Sequence, residues 1–447
     1  MGRYFGTDGI RGQANKTLTV ETAFKVGRFI GDYYLKNGNA RIVIGKDTRL
    51  SSSMFENALA CGISASGSDV YLLGFCSTPS LAYIAMKEQF SCGVMVSASH
   101  NPFYDNGIKI FGNNGLKIQD DIESLIEDYI DGKTTVDYRV NEEIGKVFHY
   151  GDEIKQYHDW LIDLYPEDLS NFKIIVDLAN GSNSYIAKDV LDSLHADATY
   201  INGDPDGTNI NNKCGSTHLE MLQEFAKTNK YDLGFAFDGD ADRVLFVDGD
   251  GEVVNGDQIM FFLSKYLKDM NILDNNTLVT TVMSNIGLYK TLDKYDINYD
   301  ITPVGDKNVV DSMINNGFCI GGEQSGHIIC SHDCNFGDGL KTALFVLNAL
   351  KHYGISLKDA VKEVKIYPQL LINERVKDKK IVLNDEEIKM KIDEITKILG
   401  NNGRILVRPS GTEPLIRVMV EAESDELCNK YVYEVIDLIK KKGYAEA

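Results

Sequence analysis

The run Val94-Met95-Val96-Ser97-Ala98-Ser99-His100-Asn101-Pro102 is an apolar strand that stops in two serines, a histidine, an asparagine and a proline. This pattern suits a strand that delivers a nucleophile, with Ser99 supplying the hydroxyl. A serine hydroxyl attacks poorly at neutral pH and needs a base, a positive neighbourhood or a metal. His100 is adjacent, but successive side chains of an extended segment face opposite sides, so it is expected to point away from Ser99. Lys109, in Asp105-Asn106-Gly107-Ile108-Lys109, is the nearest cation with room to fold back. Taken alone, the nine residues also fit a polar strand end, since Ser, Asn and Pro all favour turns.

Three further loops carry chemistry. Asp238-Gly239-Asp240-Ala241-Asp242-Arg243 places three carboxylates at alternate positions directly after an apolar strand. Hard oxygen donors at that density attract Mg²⁺ or Ca²⁺ rather than zinc or copper. A solvated acidic turn is the competing reading, but clustered carboxylates repel one another unless a cation neutralises them. An EF-hand is excluded because its sixth position would be Arg243 and its twelfth Gly249. Arg408-Pro409-Ser410-Gly411-Thr412, followed by Arg417, has the parts of a phosphate cradle: two guanidiniums, two hydroxyls and a glycine that lets backbone N–H groups approach. The same residues would also make a plain hairpin turn. Glu323, Ser325 and His327 form another polar loop, in which a carboxylate and a hydroxyl suit sugar hydroxyls and a histidine titrates near neutrality. His327, Cys330, His332 and Cys334 could be drawn as a soft-metal cluster, but their spacing matches no zinc pattern. A serine nucleophile, a divalent cation, a polyol-binding carboxylate and a phosphate grip together describe phosphoryl transfer on a sugar phosphate.

One pattern that positions these loops recurs three times. The strands Arg41–Ile44, Val70–Leu73 and the run that delivers Ser99 form the first unit. Lys173–Val176, Ala198–Ile201 and Leu233–Phe237 form the second, and Leu278–Thr281, Asn298–Ile301 and Phe318–Ile320 the third. Short buried-type strands with helical spacers predict α/β units with a mixed, largely parallel sheet. In such sheets functional loops gather outside the carboxyl ends of the strands, so three units side by side can present three loops to one cleft. Before the first unit, Phe5–Gly12 reads as a glycine-punctuated loop. It precedes a helix from about Thr19 with Ala23, Val26, Gly27, Ile30 and Tyr34 on one face. After the third unit, a strand at Leu370–Ile372, a helix at Asp385–Leu399, strands at Arg404–Arg408 and Leu415–Val420 and a helix from Asp425 to Lys440 predict a small α+β domain.

At 447 residues the chain is long enough for three or four domains. Its 43% hydrophobic and 25% charged content is that of a globular protein. A formal net charge of −20 argues against a nucleic-acid partner, and any anionic substrate needs a local positive pocket. The eight cysteines are scattered and do not form a disulfide framework. No apolar run is long enough to span a bilayer and Met1–Gly6 shows no signal-peptide core, so a cytoplasmic location is expected.

Seven motifs in order carry a resemblance that covers the chain end to end. They are Phe5-Gly-Thr-Asp-Gly-Ile-Arg-Gly12, Ser97-Ala-Ser-His-Asn-Pro102, Tyr104-Asp-Asn-Gly-Ile-Lys109, Asp238-Gly-Asp-Ala-Asp-Arg243, Gly256-Asp-Gln-Ile-Met260, Gly322-Glu-Gln-Ser-Gly-His327 and Arg408-Pro-Ser-Gly-Thr-Glu-Pro-Leu-Ile-Arg417. With these the sequence resembles the α-D-phosphohexomutases, and within them the branch acting on glucosamine phosphates. The resemblance implies three similar α/β domains (1–150, 151–253 and 254–365) plus a smaller C-terminal α+β domain (366–447) around a central cleft. It also implies a phosphoserine at Ser99. One Mg²⁺ per chain would be held by Asp238, Asp240, Asp242 and a phosphate oxygen on Ser99. Glucosamine 6-phosphate and glucosamine 1-phosphate would interconvert through glucosamine 1,6-bisphosphate, which also primes the enzyme. By the same match Arg11 and Lys109 flank the transferring group, with Lys109 and His327 as acid/base candidates. Arg243, Glu323 and Ser325 contact the sugar phosphate, and Arg408, Ser410, Gly411, Thr412 and Arg417 hold its outer phosphate. The partners expected are a small sugar phosphate, no nucleic acid and no membrane, with a homodimer as a compatible assembly. One departure stands out: Gly305-Asp306-Lys307-Asn308-Val309 replaces the Gly-Asp-Arg-Tyr-Val form expected of that branch, keeping the charge but losing the bidentate fork. A mutase for glucose or mannose phosphates, or a silent sugar-phosphate sensor, would carry much of the same pattern.

Overall fold

Three strands form in each repeat, in the same spatial order; the last of them runs Ile320–Gly322 where Phe318–Ile320 was expected. A computed structural model of the chain describes residues 2–6, 8–38, 40–410 and 414–446. In the first sheet Cys92–Val96, Arg41–Lys46 and Asp69–Phe75 lie side by side, all parallel. Leu233–Phe237, Lys173–Asp177 and Asp197–Ile201 repeat the arrangement in the second sheet. Ile320–Gly322, Thr277–Thr281 and Asn298–Thr302 repeat it in the third. Each kernel thus has its third strand beside its first, with the chain direction across the sheet reversing between them, the position where α/β sheets open a crevice.

Each third strand then turns back into an antiparallel partner. These partners are Asp105–Gly112, Val244–Asp248 and Ile328–Cys330. The sheets are therefore mixed: the first and third strands of each kernel are almost wholly buried, the second strands Asp69–Phe75, Asp197–Ile201 and Asn298–Thr302 are part exposed, and antiparallel strands lie on one flank. Phe5–Gly12 was expected as a loop; instead Phe5–Gly6 and Gly9–Gln13 are the outer strands of the first sheet, where Phe5 pairs with Ile10 and Gly9–Gln13 pairs with Asp105–Gly112. The segment's glycines hid the strand pattern. Gly9, at φ 81, needs the left-handed region, and a Cβ there would meet the Ile108 carbonyl oxygen at 2.3 Å.

The three sheets belong to one compact unit, residues 2–283 and 297–362. A second unit comprises 284–296 and 363–447. Its antiparallel sheet has Leu415–Glu421 between Gln369–Arg375 and Arg404–Pro409. Helices Glu386–Leu399 and Asp425–Lys441 supply Ile388, Ile395, Val432 and Ile436 to a core shared with Val418 and Val420. Buried Glu421 in the middle strand accepts from the backbone N–H of Ile286 at 2.9 Å and from Arg404 Nε at 2.7 Å. None of the described helices is long and apolar enough to cross a membrane.

One buried ion pair shapes the loop after Val96. The side chains of Asp47 and Arg49, just beyond the first strand, have no solvent exposure, and Arg49 Nε lies 2.8 Å from Asp47 Oδ2. Asp47 also accepts from Ser97 Oγ at 2.6 Å and from Ser52 Oγ at 2.7 Å. Arg49 spends its other nitrogens on the carbonyl oxygens of Ser99, Asn101, Pro102 and Asp105. Asn211, from the second sheet's domain, donates to the carbonyls of Ser99 (2.8 Å) and Asn101 (3.1 Å). Replacing Arg49 with Met is expected to leave the Asp47 charge buried and unpaired and to destabilise the fold by about 3–5 kcal/mol. Thermal unfolding checks this, and an unchanged transition would contradict it.

Candidate active site

Each of the three sheets ends its third strand in a loop containing one residue at positive φ: Ser99 (53°), Ala241 (60°) and Gly326 (89°). Left-handed backbone is uncommon for serine and alanine, and such strain persists only where the surroundings over-determine it. At Ser99 the Arg49 and Asn211 donors described above hold the carbonyl. Gly239 faces the same oxygen, and a Cβ there would come within 2.6 Å of it. The left-handed turn also corrects the expectation for His100. That expectation assumed extended backbone, whereas the imidazole folds to the same side and its Nδ1 lies 3.3 Å from Ser99 Oγ.

Ser99 is buried and its hydroxyl donates to Asp238 Oδ2 at 2.6 Å, across the boundary between the first two α/β domains. Arg243 Nη1 lies 3.1 Å from His100 Nδ1. A guanidinium can only donate, so this nitrogen is the acceptor and the proton of the neutral ring sits on Nε2. Burial first, then the charges of Arg243 and Arg11, push the His100 pKa down to about 4.

Asp238, Asp240 and Asp242 each offer an oxygen to one cluster, with the three atoms within 4.8 Å of one another. All three residues are buried. Lys109 Nζ lies 2.6 Å from Asp240 Oδ2 and 3.2 Å from Asp242 Oδ2. Thr78, at the start of helix Thr78–Lys87, donates its hydroxyl to Asp240 at 2.5 Å. Burial and the charges of Asp242 and Asp240 hold the Asp238 carboxyl well above its usual range. Burial would also raise Asp242, but Lys109, His327 and Arg243 carry it below the usual range. Burial would lower Lys109, yet Asp240 and Asp242 leave it above its ordinary value. Asp240 Oδ1 and Asp242 Oδ1 are buried without a hydrogen-bond partner. Two orphaned carboxylate oxygens beside a third carboxylate fit a hard divalent cation, because a buried anionic oxygen left unmatched is costly.

The third α/β domain adds the remaining groups. His327 Nδ1 stands 3.7 Å from Asp242 Oδ1 and its Nε2 stands 3.9 Å from Asp306 Oδ2. Burial works against protonation of His327, but Asp242 and Asp306 outweigh it and raise the pKa. Glu323 accepts from the backbone N–H of Gly305 at 3.0 Å and lies 3.4 Å from Ser325 Oγ. Arg11 pairs with Asp8 at 3.1 Å, and Lys117 bridges Asp8 and Asp306 at 2.8 and 2.7 Å. Lys307, the departure noted above, pairs with Asp120 of the first domain. A cavity of about 440 Å³ reaches from Lys109, Asp242 and His327 toward Phe111, Lys117 and Phe336.

The structure thus brings Ser99, Lys109, Arg11, His327, Arg243 and the three aspartates into one connected group, and Glu323 and Ser325 join it through the backbone of Gly305, next to Asp306. Asp47, Arg49, Asn211 and Thr78 were not singled out from the sequence. Asp47, Thr48 and Arg49 at a strand end were the only signal. In the second unit Arg408 and Arg417 face each other on paired strands. Both Nε atoms are buried without a hydrogen-bond partner among the described residues. Burial and the neighbouring Arg417 depress the Arg408 pKa, as expected of two cations sharing a site. Ser410 is buried beside them in sequence. Gly411 and Thr412 lie outside the described residues.

The chain matches, in order, four descriptions from one family. These are phosphoglucomutase/phosphomannomutase alpha/beta/alpha domain I over residues 2–137, domain II over 149–251, domain III over 255–367 and the C-terminal domain over 371–438. It is 50% identical over 448 residues to a protein of Lachnoclostridium phytofermentans named phosphoglucosamine mutase, with all of both chains covered. A Burkholderia thailandensis phosphoglucomutase/phosphomannomutase family protein shares the fold at a TM-score of 0.81 and 24% identity, covering 99% of this chain and 98% of that one. So does an Aspergillus fumigatus N-acetylphosphoglucosamine mutase solved with GlcNAc-6P and magnesium, at a TM-score of 0.72 and 17% identity, covering 98% of this chain and 95% of that one. Four matched domains and half-identity from end to end make the chain a member of the phosphoglucomutase/phosphomannomutase family of phosphohexomutases.

Proposed function

We propose that the protein is a phosphoglucosamine mutase, interconverting glucosamine 6-phosphate and glucosamine 1-phosphate. The observation that carries the reading is the 2.6 Å contact between Ser99 Oγ and Asp238, which joins a serine hydroxyl to a cluster of three carboxylates from another domain. The name of the half-identical, full-length relative supports the choice of sugar. Phosphorylated Ser99 gives its phosphoryl group to the free hydroxyl of the sugar monophosphate, forming glucosamine 1,6-bisphosphate. Ser99 then takes the other phosphoryl group back, so the enzyme ends as it began. Mg²⁺ held by Asp238, Asp240, Asp242 and a phosphate oxygen on Ser99 would supply charge neutralisation for the transferring group.

The chain's own residues do the rest. Arg49 and Asn211 pin the Ser99 carbonyl so that its hydroxyl faces the aspartates. Arg11 and Lys109 place positive charge beside the transferring phosphoryl. Lys109 and His327 move the proton of the attacking or leaving sugar hydroxyl. Glu323 and Ser325 take sugar hydroxyls, and Arg243 contacts the substrate. Arg408, Ser410, Gly411, Thr412 and Arg417 grip the phosphate that is not reacting, whichever end of the sugar bears it. The domain bounds proposed with this reading are 1–150, 151–253, 254–365 and 366–447, and the location is cytoplasmic.

A coupled assay with glucosamine 6-phosphate, glucose 1-phosphate and mannose 1-phosphate is expected to favour the amino sugar. A clear preference for a neutral sugar would transfer the assignment to a phosphoglucomutase or phosphomannomutase. Ser99→Ala is expected to lower kcat by at least about 10³-fold while the fold and sugar-phosphate binding persist. Undiminished turnover would end the nucleophile assignment. Asp240→Asn is expected to weaken Mg²⁺ binding and kcat together, read by calorimetry and the same assay. Normal rates in excess EDTA would contradict it.

A further inference from the structure

We propose that Asp274, Cys319 and His332 form a second cation site, for one thiophilic divalent metal of the zinc class. One donor atom from each lies within 4.8 Å of the other two. Asp274 precedes strand Thr277–Thr281, Cys319 directly precedes Ile320–Gly322, and His332 follows the antiparallel strand Ile328–Cys330. All three therefore sit at the end of the third sheet opposite its catalytic loop. A metal there would staple three segments of one domain without entering the aspartate cluster.

The spacing of the three donors suits coordination as well as an ion pair. His332 Nε2 and Asp274 Oδ2 are 3.6 Å apart, too far for a hydrogen bond. Two ligands bound at about 2.0–2.1 Å to one tetrahedral zinc lie roughly 3.3–3.5 Å from each other, so this pair is already close to that spacing. The Cys319 sulfur accepts the backbone N–H of Asp274 at 3.3 Å, a contact that supports negative charge on sulfur. The thiol's own proton is directed to the Ile272 carbonyl at 3.6 Å. Cys319 is buried, whereas the Asp274 and His332 side chains are about half exposed, at 55% and 41%, so a cation has an entry path and room for a water as fourth ligand.

The donor set also selects the metal. A thiolate and an imidazole suit zinc and its borderline neighbours, while Mg²⁺ prefers oxygen donors alone. Binding forms one metal–sulfur bond and releases the Cys319 proton to solvent, so affinity rises with pH. Burial keeps this thiol protonated in the absence of a cation. The sequence grouping of His332 with His327, Cys330 and Cys334 does not form. His327 stands by Asp242 at the catalytic end, and Cys334 accepts from Lys341 at 3.3 Å.

The test is a Co²⁺ titration of the full chain in excess Mg²⁺, which occupies the aspartates and leaves the thiol site open. One equivalent of Co²⁺ is expected to produce thiolate-to-cobalt charge-transfer absorption and to raise the melting temperature. Cys319→Ser is expected to abolish the absorption. His332→Ala and Asp274→Ala, at half-exposed positions, are expected to weaken binding at least about tenfold while mutase activity in Mg²⁺ stays unchanged. Asp240→Asn should leave the absorption intact. The proposal is overturned if the unaltered chain gives no charge-transfer absorption at stoichiometric cobalt. It is equally overturned if the absorption survives His332→Ala and Asp274→Ala at full affinity, since another cysteine would then be the ligand.

Discussion

Three carboxylates crowded into one buried cluster repel each other, and much of the surrounding structure serves to keep them there. Asp238, Asp240 and Asp242 come from a single loop of the second α/β domain, but the cations facing them come from elsewhere. Lys109 arrives on a strand of the first domain and His327 on the hairpin turn of the third, while Arg243 stays on the home loop. Local charge balance is thus achieved only when three domains meet. The fit of two orphaned oxygens to a hard cation follows from the same shortage of positive charge. A chain of net charge −20 can handle an anionic sugar phosphate only by concentrating its cations in this way.

Topology explains why the loops can converge. The third strand of every kernel lies beside the first, so the loop leaving it emerges at the point where the connections reverse direction. A hairpin follows in each case, and a tight turn between a parallel strand and its antiparallel partner needs one left-handed residue. Glycine fills that role at position 326 without cost. Serine and alanine fill it at 99 and 241 because buried donors and close backbone contacts leave them no alternative. The strain at Ser99 is what turns its hydroxyl toward Asp238.

The Asp47–Arg49 pair shows how a buried charge pair can act on geometry more than on net stability. Its guanidinium gathers the carbonyls of Ser99, Asn101 and Pro102 in the serine loop and of Asp105 at the start of the next strand, and its carboxylate holds the hydroxyl of Ser97. Ser97 Oγ in turn accepts the backbone N–H of Ser99 at 2.9 Å. In the second unit, Arg408 and Arg417 form the opposite case: two cations held side by side whose Nε atoms have no hydrogen-bond partner among the described residues, an arrangement that suits an anion.

The amino-acid sequence by itself determined eight of the nine kernel strands and the rough position of the ninth, which starts at Ile320 and not Phe318, together with the helix from Thr19, the order of the C-terminal elements and the acidic and serine loops. Alternation, apolar runs and capping residues are local signals, and the buried strands carried them strongly. Three features were decided only by tertiary structure. The glycine-rich Gly9–Gln13 became a strand because Asp105–Gly112, about a hundred residues away, offered it an edge, and Phe5–Gly6 pairs back on it. His100 turned toward Ser99 because long-range donors forced the left-handed backbone that alternation does not anticipate. Asn211, Asp274 and Cys319 carry no signal in the sequence, and His332 groups there with the wrong neighbours, because their partners lie tens of positions away. Spacing along the chain reports what a strand or helix will do with itself, whereas contacts between segments depend on which surfaces folding brings together.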